Sequence, residues 1–176
     1  MTENEFKLPD SEAARSALRT INAEKSGLSD LEHALANGLS EPFVAAVRKL
    51  ITLPGRVIIT GIGKSGHIGT KIAATLASTG TPAFFVHPVE AVHGDLGMIT
   101  TRDAIIALSW SGETTELQGI VGYSRRFSIP LIAITSGENS TLAREADIVL
   151  CLPKSQEACP HGLAPTTSAL MTLAMG

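Results

Sequence analysis

The chain has 176 residues, 44% of them hydrophobic, and sets 14 Lys and Arg against 17 Asp and Glu for a formal charge of −3. That length supports one domain with a sizeable core and leaves little room for a second. The basic residues are scattered, leaving no footprint for nucleic acid; the polar start MTENEFKLPD is no secretion signal, and no apolar run reaches the roughly 18 residues that span a bilayer. The expectation is a cytoplasmic protein with neither membrane nor nucleic-acid partners.

Residues 10–36 read as a long helix, with Asp10 and Ser11 offered as caps and Leu18, Ile21, Leu28, Leu31 and Leu35 at mostly helical spacings. This apolar stripe needs a surface to cover it, either the core or a second subunit. A second helix starts at Ser40 and is closed by Pro54 and Gly55. After Gly55 the texture changes to short apolar runs alternating with helical segments. RVIIT is followed by a helix over 65–78; AFFVH leads into a turn-rich segment. AIIALS precedes a helix over 115–127, PLIAIT a short one near 140–144, and DIVLCL completes the series. The five runs are almost continuous in Val, Ile, Leu and Ala, the pattern of parallel strands covered on both faces. Crossover handedness then gives a doubly wound α/β fold, a five-stranded parallel sheet flanked by helices. Residues 1–55 form its helical extension and 56–176 the α/β unit, with no linker or repeat between them. Cys151 and Cys159 lack the spacing of a metal or redox pair and read as free or buried thiols.

RVIITGIGKSGHIGTK places Gly61, Gly63 and Gly66 in the pattern G-x-G-x-x-G straight after the first strand. A nucleotide P-loop needs a glycine where Ile58 stands, although Gly63-Lys64-Ser65 fits its end. A dinucleotide site wants an acidic residue closing the second strand, and Glu90, beyond FFVHP, fits poorly. A tight strand-to-helix turn would also use these glycines. The P-loop reading therefore fails, and the loop alone does not decide between the other two. The second loop, SWSGETTEL, follows the third strand and gathers Ser109, Ser111, Thr114 and Thr115 around Gly112 ahead of a helix. Hydroxyls and N–H groups at a helix N-terminus make an anion site, so a phosphate is expected here; ordinary N-capping is the competing explanation.

GIGKSGHIGTKIAATLASTGTPAFFVHPVEAVHGDLGMIT together with SWSGETTEL resembles the sugar isomerase (SIS) domain. With EACPHGLAPTTSALMTLAMG added, the chain from about residue 15 is similar to the D-arabinose 5-phosphate isomerases, which interconvert D-ribulose 5-phosphate and D-arabinose 5-phosphate. The resemblance implies the SIS fold with flavodoxin-like strand order. It also implies a phosphosugar held by Ser109, Ser111 and Thr114, assisted by Ser65, with Gly61, Gly63, Gly66 and Gly112 shaping the loops. Lys64, His93, Glu116 and Glu157 are placed in the active site. The family also implies homotetramers with active sites at subunit boundaries and a product that feeds KDO synthesis for lipopolysaccharide. Relatives continue past the position of Gly176 with the rest of a helix, a further active-site histidine and often a tandem CBS pair. A truncated SIS domain, not fully active alone, is therefore the expectation. Trp110 departs from the small polar residue of many relatives.

Moving a carbonyl between C1 and C2 of a pentose phosphate needs a base, a stabiliser for the enediol and no redox cofactor. Glu116, in the first turn after the phosphate loop, is the expected base and Glu157 its rival. Lys64 would hold the enediolate, and His93 would assist ring opening or shuttle protons. His87, Glu90, His93 and Asp95 fall within nine residues. That mixture of imidazole and carboxylate suits zinc, as an incidental or inhibitory site centred on His87 and His93. His67 and His161 carry no role beyond local hydrogen bonds, and His33 belongs on the exposed side of its helix. The leading alternative is a sensor that binds a phosphosugar without converting it, with a nucleotide-dependent enzyme third.

Overall fold

A computed structural model describes residues 10–176. Five strands, β1 (Val57–Gly61), β2 (Ala83–Phe85), β3 (Ala104–Leu108), β4 (Leu131–Thr135) and β5 (Ile148–Cys151), form one parallel sheet in the order β2-β1-β3-β4-β5. The helices are α1 (Asp10–Leu35), α2 (Ser40–Ile51), α3 (Lys64–Ser78), α4 (Pro88–Val92), α5 (Gln118–Phe127), α6 (Thr141–Glu145) and α7 (Thr167–Met175). None is long and apolar enough to cross a membrane.

Alternate strand residues point to opposite faces, and each face has its own core. Val57, Ile59, Ile106, Leu108, Ile132 and Ile134 meet side chains of α1, α2, α3 and α7, among them Leu31, Ala46, Ile72 and Met171. Ile58, Ile105, Ala107, Leu131 and Ala133 meet Ala91, Leu117, Ile120 and Leu142. The crossover through α3 thus lies on one face and that through α5 on the other. The chain winds outward in both directions from the β1–β3 pair, the doubly wound arrangement expected of the sequence.

Three segments differ from the sequence reading. The residues after β2, read as turns, hold α4 and a 3-10 turn over Asp95–Met98. Pro88 takes the first turn of α4 and, lacking an N–H, also stops β2 from continuing past the bond from Val86 N to Ile59 O of 2.9 Å. The helix over 115–127 begins as a 3-10 turn, Thr115–Leu117, before α5 takes over. The stripe on α1 is covered only toward its C-terminal end, Leu28 being still exposed. Leu31 is buried and Leu35 half-buried, while Leu18 and Ile21 are 59% and 57% exposed. Ser11 is already helical, and the cap expected of Asp10 lies at the limit of the described residues.

Two carboxylates stitch the edge where the strands begin. Asp103, 1% exposed, accepts from Arg56 N and Thr100 N, both at 2.7 Å, and from Thr100 Oγ1 at 2.9 Å. Asp147 accepts from Leu131 N at 2.7 Å and from both terminal nitrogens of Arg125 at 3.0 and 2.7 Å. The ion pairs among the described residues, Arg56–Asp103 and Arg125–Asp147, both lie on this edge.

Candidate active site

At the opposite edge, β1 and β3 end side by side, with Gly61 in register with Leu108. Strand order reverses at this pair, so the connections leaving β1 and β3 diverge to opposite faces and open a crevice between them, where α/β sheets bind ligands. The glycine loop enters it from β1 and the serine loop from β3.

The glycine loop divides its labour. Gly61 and Gly66 pack on each other: a Cβ on Gly66 would lie 2.9 Å from Gly61 O, so the turn closes tightly and α3 sits close to its strand. Gly63 adopts φ +57° and precedes α3, whose first turn receives no capping side chain. No side chain caps the first N–H groups of this 15-residue helix, the kind of helix start that can accommodate an anion. Lys64 is exposed and Ser65 half-buried in that first turn.

The hydroxyls of the serine loop fold inward. Ser109 Oγ and Thr114 Oγ1 share a hydrogen bond of 2.7 Å, Ser109 Oγ accepts from Gly112 N at 3.0 Å, and Ser111 Oγ accepts from Glu113 N at 3.2 Å. Gly112 turns at φ +70°, and a Cβ there would run into the Ser140 hydroxyl. The capping alternative is not realised, because neither the 3-10 turn after Thr114 nor α5 receives a side-chain cap. Trp110 presents its backbone to β4, its carbonyl accepting from Ser136 N at 2.9 Å, and packs its half-buried ring against the core on the α3 and α7 face. The bulk that departs from many relatives is thereby taken into the core.

Glu116 stands exposed in the 3-10 turn and accepts from Thr115 Oγ1 at 3.2 Å. His93 is exposed at the end of α4. Val92 beside it packs so closely on Gly119 that a Cβ there would clash, which brings the His93 segment against the turn that carries Glu116. Glu157 is engaged elsewhere. It accepts from Thr166 N at 2.7 Å, from Thr166 Oγ1 at 2.8 Å and, more weakly, from Ser168 N at 3.4 Å, closing the start of α7. Burial pushes its carboxyl up, but the bonds from Ser168 and Thr166 outweigh that and hold it below the usual carboxylate range. No hydrogen bond joins Glu157 to Lys64, Glu116 or the serine loop among the described residues.

The four residues read from the sequence as a zinc cluster do not converge. Among the described residues no three His, Cys, Asp or Glu side chains come together to hold a metal ion. His87 precedes α4 and meets the edge of the Phe85 ring at 6.5 Å between centroids, and His87, Glu90 and His93 are all exposed. His67, His161 and His33 are exposed, and Cys151 and Cys159 are free thiols.

Two features escape the sequence. Glu113, inside the serine loop, accepts from Thr141 N at 2.8 Å and Thr141 Oγ1 at 2.7 Å across 28 residues of chain. A cavity of about 540 Å³ also opens beyond the serine loop at the ends of β4 and β5, lined in part by Ser111, Glu113, Ser136, Asn139 and Lys154. The turn residues around Ser140 are the only signal for either.

Residues 50–176 match the SIS domain family. The chain is 48% identical over 156 residues to the arabinose 5-phosphate isomerase KdsD of Salmonella typhi, covering 89% of this chain and 46% of that protein. It is 45% identical over 180 residues to the arabinose 5-phosphate isomerase KpsF of Escherichia coli O6:H1, covering 98% and 54%. The chain thus spans about half the length of these curated relatives. A solved structure of an E. coli CFT073 protein in complex with arabinose 5-phosphate superposes with a TM-score of 0.86 at 38% identity, covering 95% of this chain and 87% of that one.

Proposed function

The chain belongs to the SIS domain family, and from that premise we propose that it is the phosphosugar-binding and catalytic unit of an aldose–ketose isomerase that interconverts D-ribulose 5-phosphate and D-arabinose 5-phosphate. The observation that carries this reading is the pairing of Gly61 with Leu108, which sets a glycine loop with an uncapped helix start beside a ring of hydroxyls at the sheet's switch point. The names of the curated relatives and the arabinose 5-phosphate bound to the solved neighbour support the choice of sugar.

The phosphate is held by Ser109, Ser111 and Thr114 with the N–H groups of the α3 start and Ser65. Glu116 takes the proton beside the carbonyl, the enediolate forms with its charge opposite Lys64, and the proton returns to the neighbouring carbon. Glu116 is favoured over Glu157 because the Glu157 oxygens are already taken by Thr166 and Ser168 at the start of α7, whereas Glu116 stands exposed in the turn that follows the phosphate loop. His93 assists ring opening from the segment packed against the Glu116 turn. The reaction needs no cofactor. We place the protein in the cytoplasm, supplying arabinose 5-phosphate toward KDO. We further propose a homotetramer, in which a neighbouring copy covers the exposed Leu18 and Ile21 of α1.

The test is conversion of D-arabinose 5-phosphate to D-ribulose 5-phosphate, with sugar-phosphate binding measured in parallel, by this chain and by a form extended past Gly176. Binding by both with turnover in at least the longer form is expected. Binding without turnover in either would leave a phosphosugar sensor, and absence of binding would overturn the reading altogether.

A further inference from the structure

We propose that Glu113 is a positioning residue whose carboxylate clamps the serine loop into its anion-binding shape before any ligand arrives. This rests on the reading of residues 109–114 as the phosphate loop.

A loop rich in Ser and Gly is costly to order, because each residue gives up backbone freedom, and a ligand that had to impose that order would bind correspondingly weakly. Here the order is imposed from the side by the end of β4 and the start of α6. Leu142 N donates to Gly112 O at 3.0 Å and Ser136 N to Trp110 O at 2.9 Å. These are backbone contacts that any side chain would permit. Thr135 Oγ1 adds a bond to Trp110 O at 3.3 Å, and Glu113 supplies the shorter, paired tie that depends on side-chain chemistry, accepting from both the N–H and the hydroxyl of Thr141. The same helix start is closed by Ser140 Oγ, which accepts from Ala143 N at 3.2 Å, so α6 is held rigid enough to serve as an anchor.

The charge of Glu113 makes the point sharper. A carboxylate two residues from Ser111 and one from Thr114 adds negative charge where a phosphate is to bind, which opposes binding. A residue kept for direct contact with phosphate would be neutral or basic. Each carboxylate oxygen is instead taken by a Thr141 donor, and those two bonds hold the carboxyl below the usual carboxylate range. The position of Glu113 is explained by what it holds, not by what it touches in the crevice.

The test is calorimetric titration of D-arabinose 5-phosphate into the unaltered protein, Glu113→Ala, Glu113→Gln, Thr141→Val and the Glu113→Ala/Thr141→Val pair, with amide hydrogen exchange at residues 110–115 and thermal midpoints. Glu113→Ala is expected to weaken binding at least about tenfold, the scale of lost charge-assisted hydrogen bonds, and to speed exchange in the loop. Glu113→Gln keeps an acceptor for Thr141 N and should recover part of the affinity, which a purely destabilising change would not do. Thr141→Val should fall between, and the double variant should be no worse than Glu113→Ala alone. Unchanged affinity and exchange in Glu113→Ala would overturn the inference, as would affinities that simply follow the thermal midpoints. If the unaltered protein binds no phosphosugar, the functional reading fails. Exchange at 110–115 still decides the clamp, which falls if Glu113→Ala leaves it unmoved.

Discussion

The two edges of the sheet use charge in opposite ways. Where the strands begin, Asp103 and Asp147 are saturated: each carboxylate binds the backbone N–H at the entry to a strand and pairs with an arginine. Where the strands end, Lys64, Glu116 and His93 are exposed and enter no ion pair among the described residues, while hydroxyls and N–H groups define the crevice. Charges at the first edge are satisfied within the chain and contribute to folding; at the second, Glu113 and Glu157 are likewise engaged within the chain, while Lys64, Glu116 and His93 are left available to something that is not part of it. A fold can therefore concentrate stability and reactivity at opposite ends of the same strands.

The strongest challenge to that contrast is Glu116→Gln. Its turnover should fall by roughly 10²–10⁴-fold, the range for loss of a general base, with an unmoved thermal midpoint; near-normal turnover would remove Glu116 from the mechanism and blur the contrast. Asp103→Ala should do the reverse. Leaving the Arg56 and Thr100 N–H groups without their acceptor is expected to cost about 2–4 kcal/mol in denaturant unfolding, with the KM for phosphosugar unchanged.

The same carboxylate sets a pH dependence. Burial pushes the Asp103 carboxyl up, but the bonds from Thr100 and Arg56 outweigh it and hold it below its ordinary value of 3.8. A folded-state pKa below the unfolded one means that the contribution is complete above 3.8 and fades as pH falls from there through the folded value. Acid titration of stability should show this loss in the unaltered protein and lack it in Asp103→Ala. The smallest effect is assigned to Arg125→Met. Its partner Asp147 is half exposed, so screening limits the loss to about 1 kcal/mol or less, and a larger loss would show that this edge depends on Arg125 more than the contrast allows.

Local signals make the sheet legible: each strand is a nearly unbroken apolar run, and the glycine and serine loops follow β1 and β3 directly. Side-chain partners are harder to read, because they are set by distant parts of the chain. Glu113 finds Thr141 only once β4 has brought α6 alongside, and Glu157 is diverted to Thr166 by a loop with no regular pattern. The imidazoles and carboxylates of residues 87–95 are close in sequence, yet among the described residues no three of them come together to hold a metal ion, so proximity along the chain misleads. Trp110 reads only as a departure from the small polar residue of many relatives, and its half-buried ring packs against the core. On α1, an uninterrupted stripe gives no hint that its two ends meet different surroundings.

Gly27, midway along α1, is buried where that helix crosses the start of α7, and a Cβ there would collide with Thr167. Thr167 adjoins Thr166, the residue that Glu157 grips, and Asp30, one turn along α1, accepts from Ser155 Oγ at 2.6 Å on the other side of Glu157. The absent side chain at Gly27 thus lets the long helix sit directly against the start of α7, so that one helix braces the segments on both sides of Glu157.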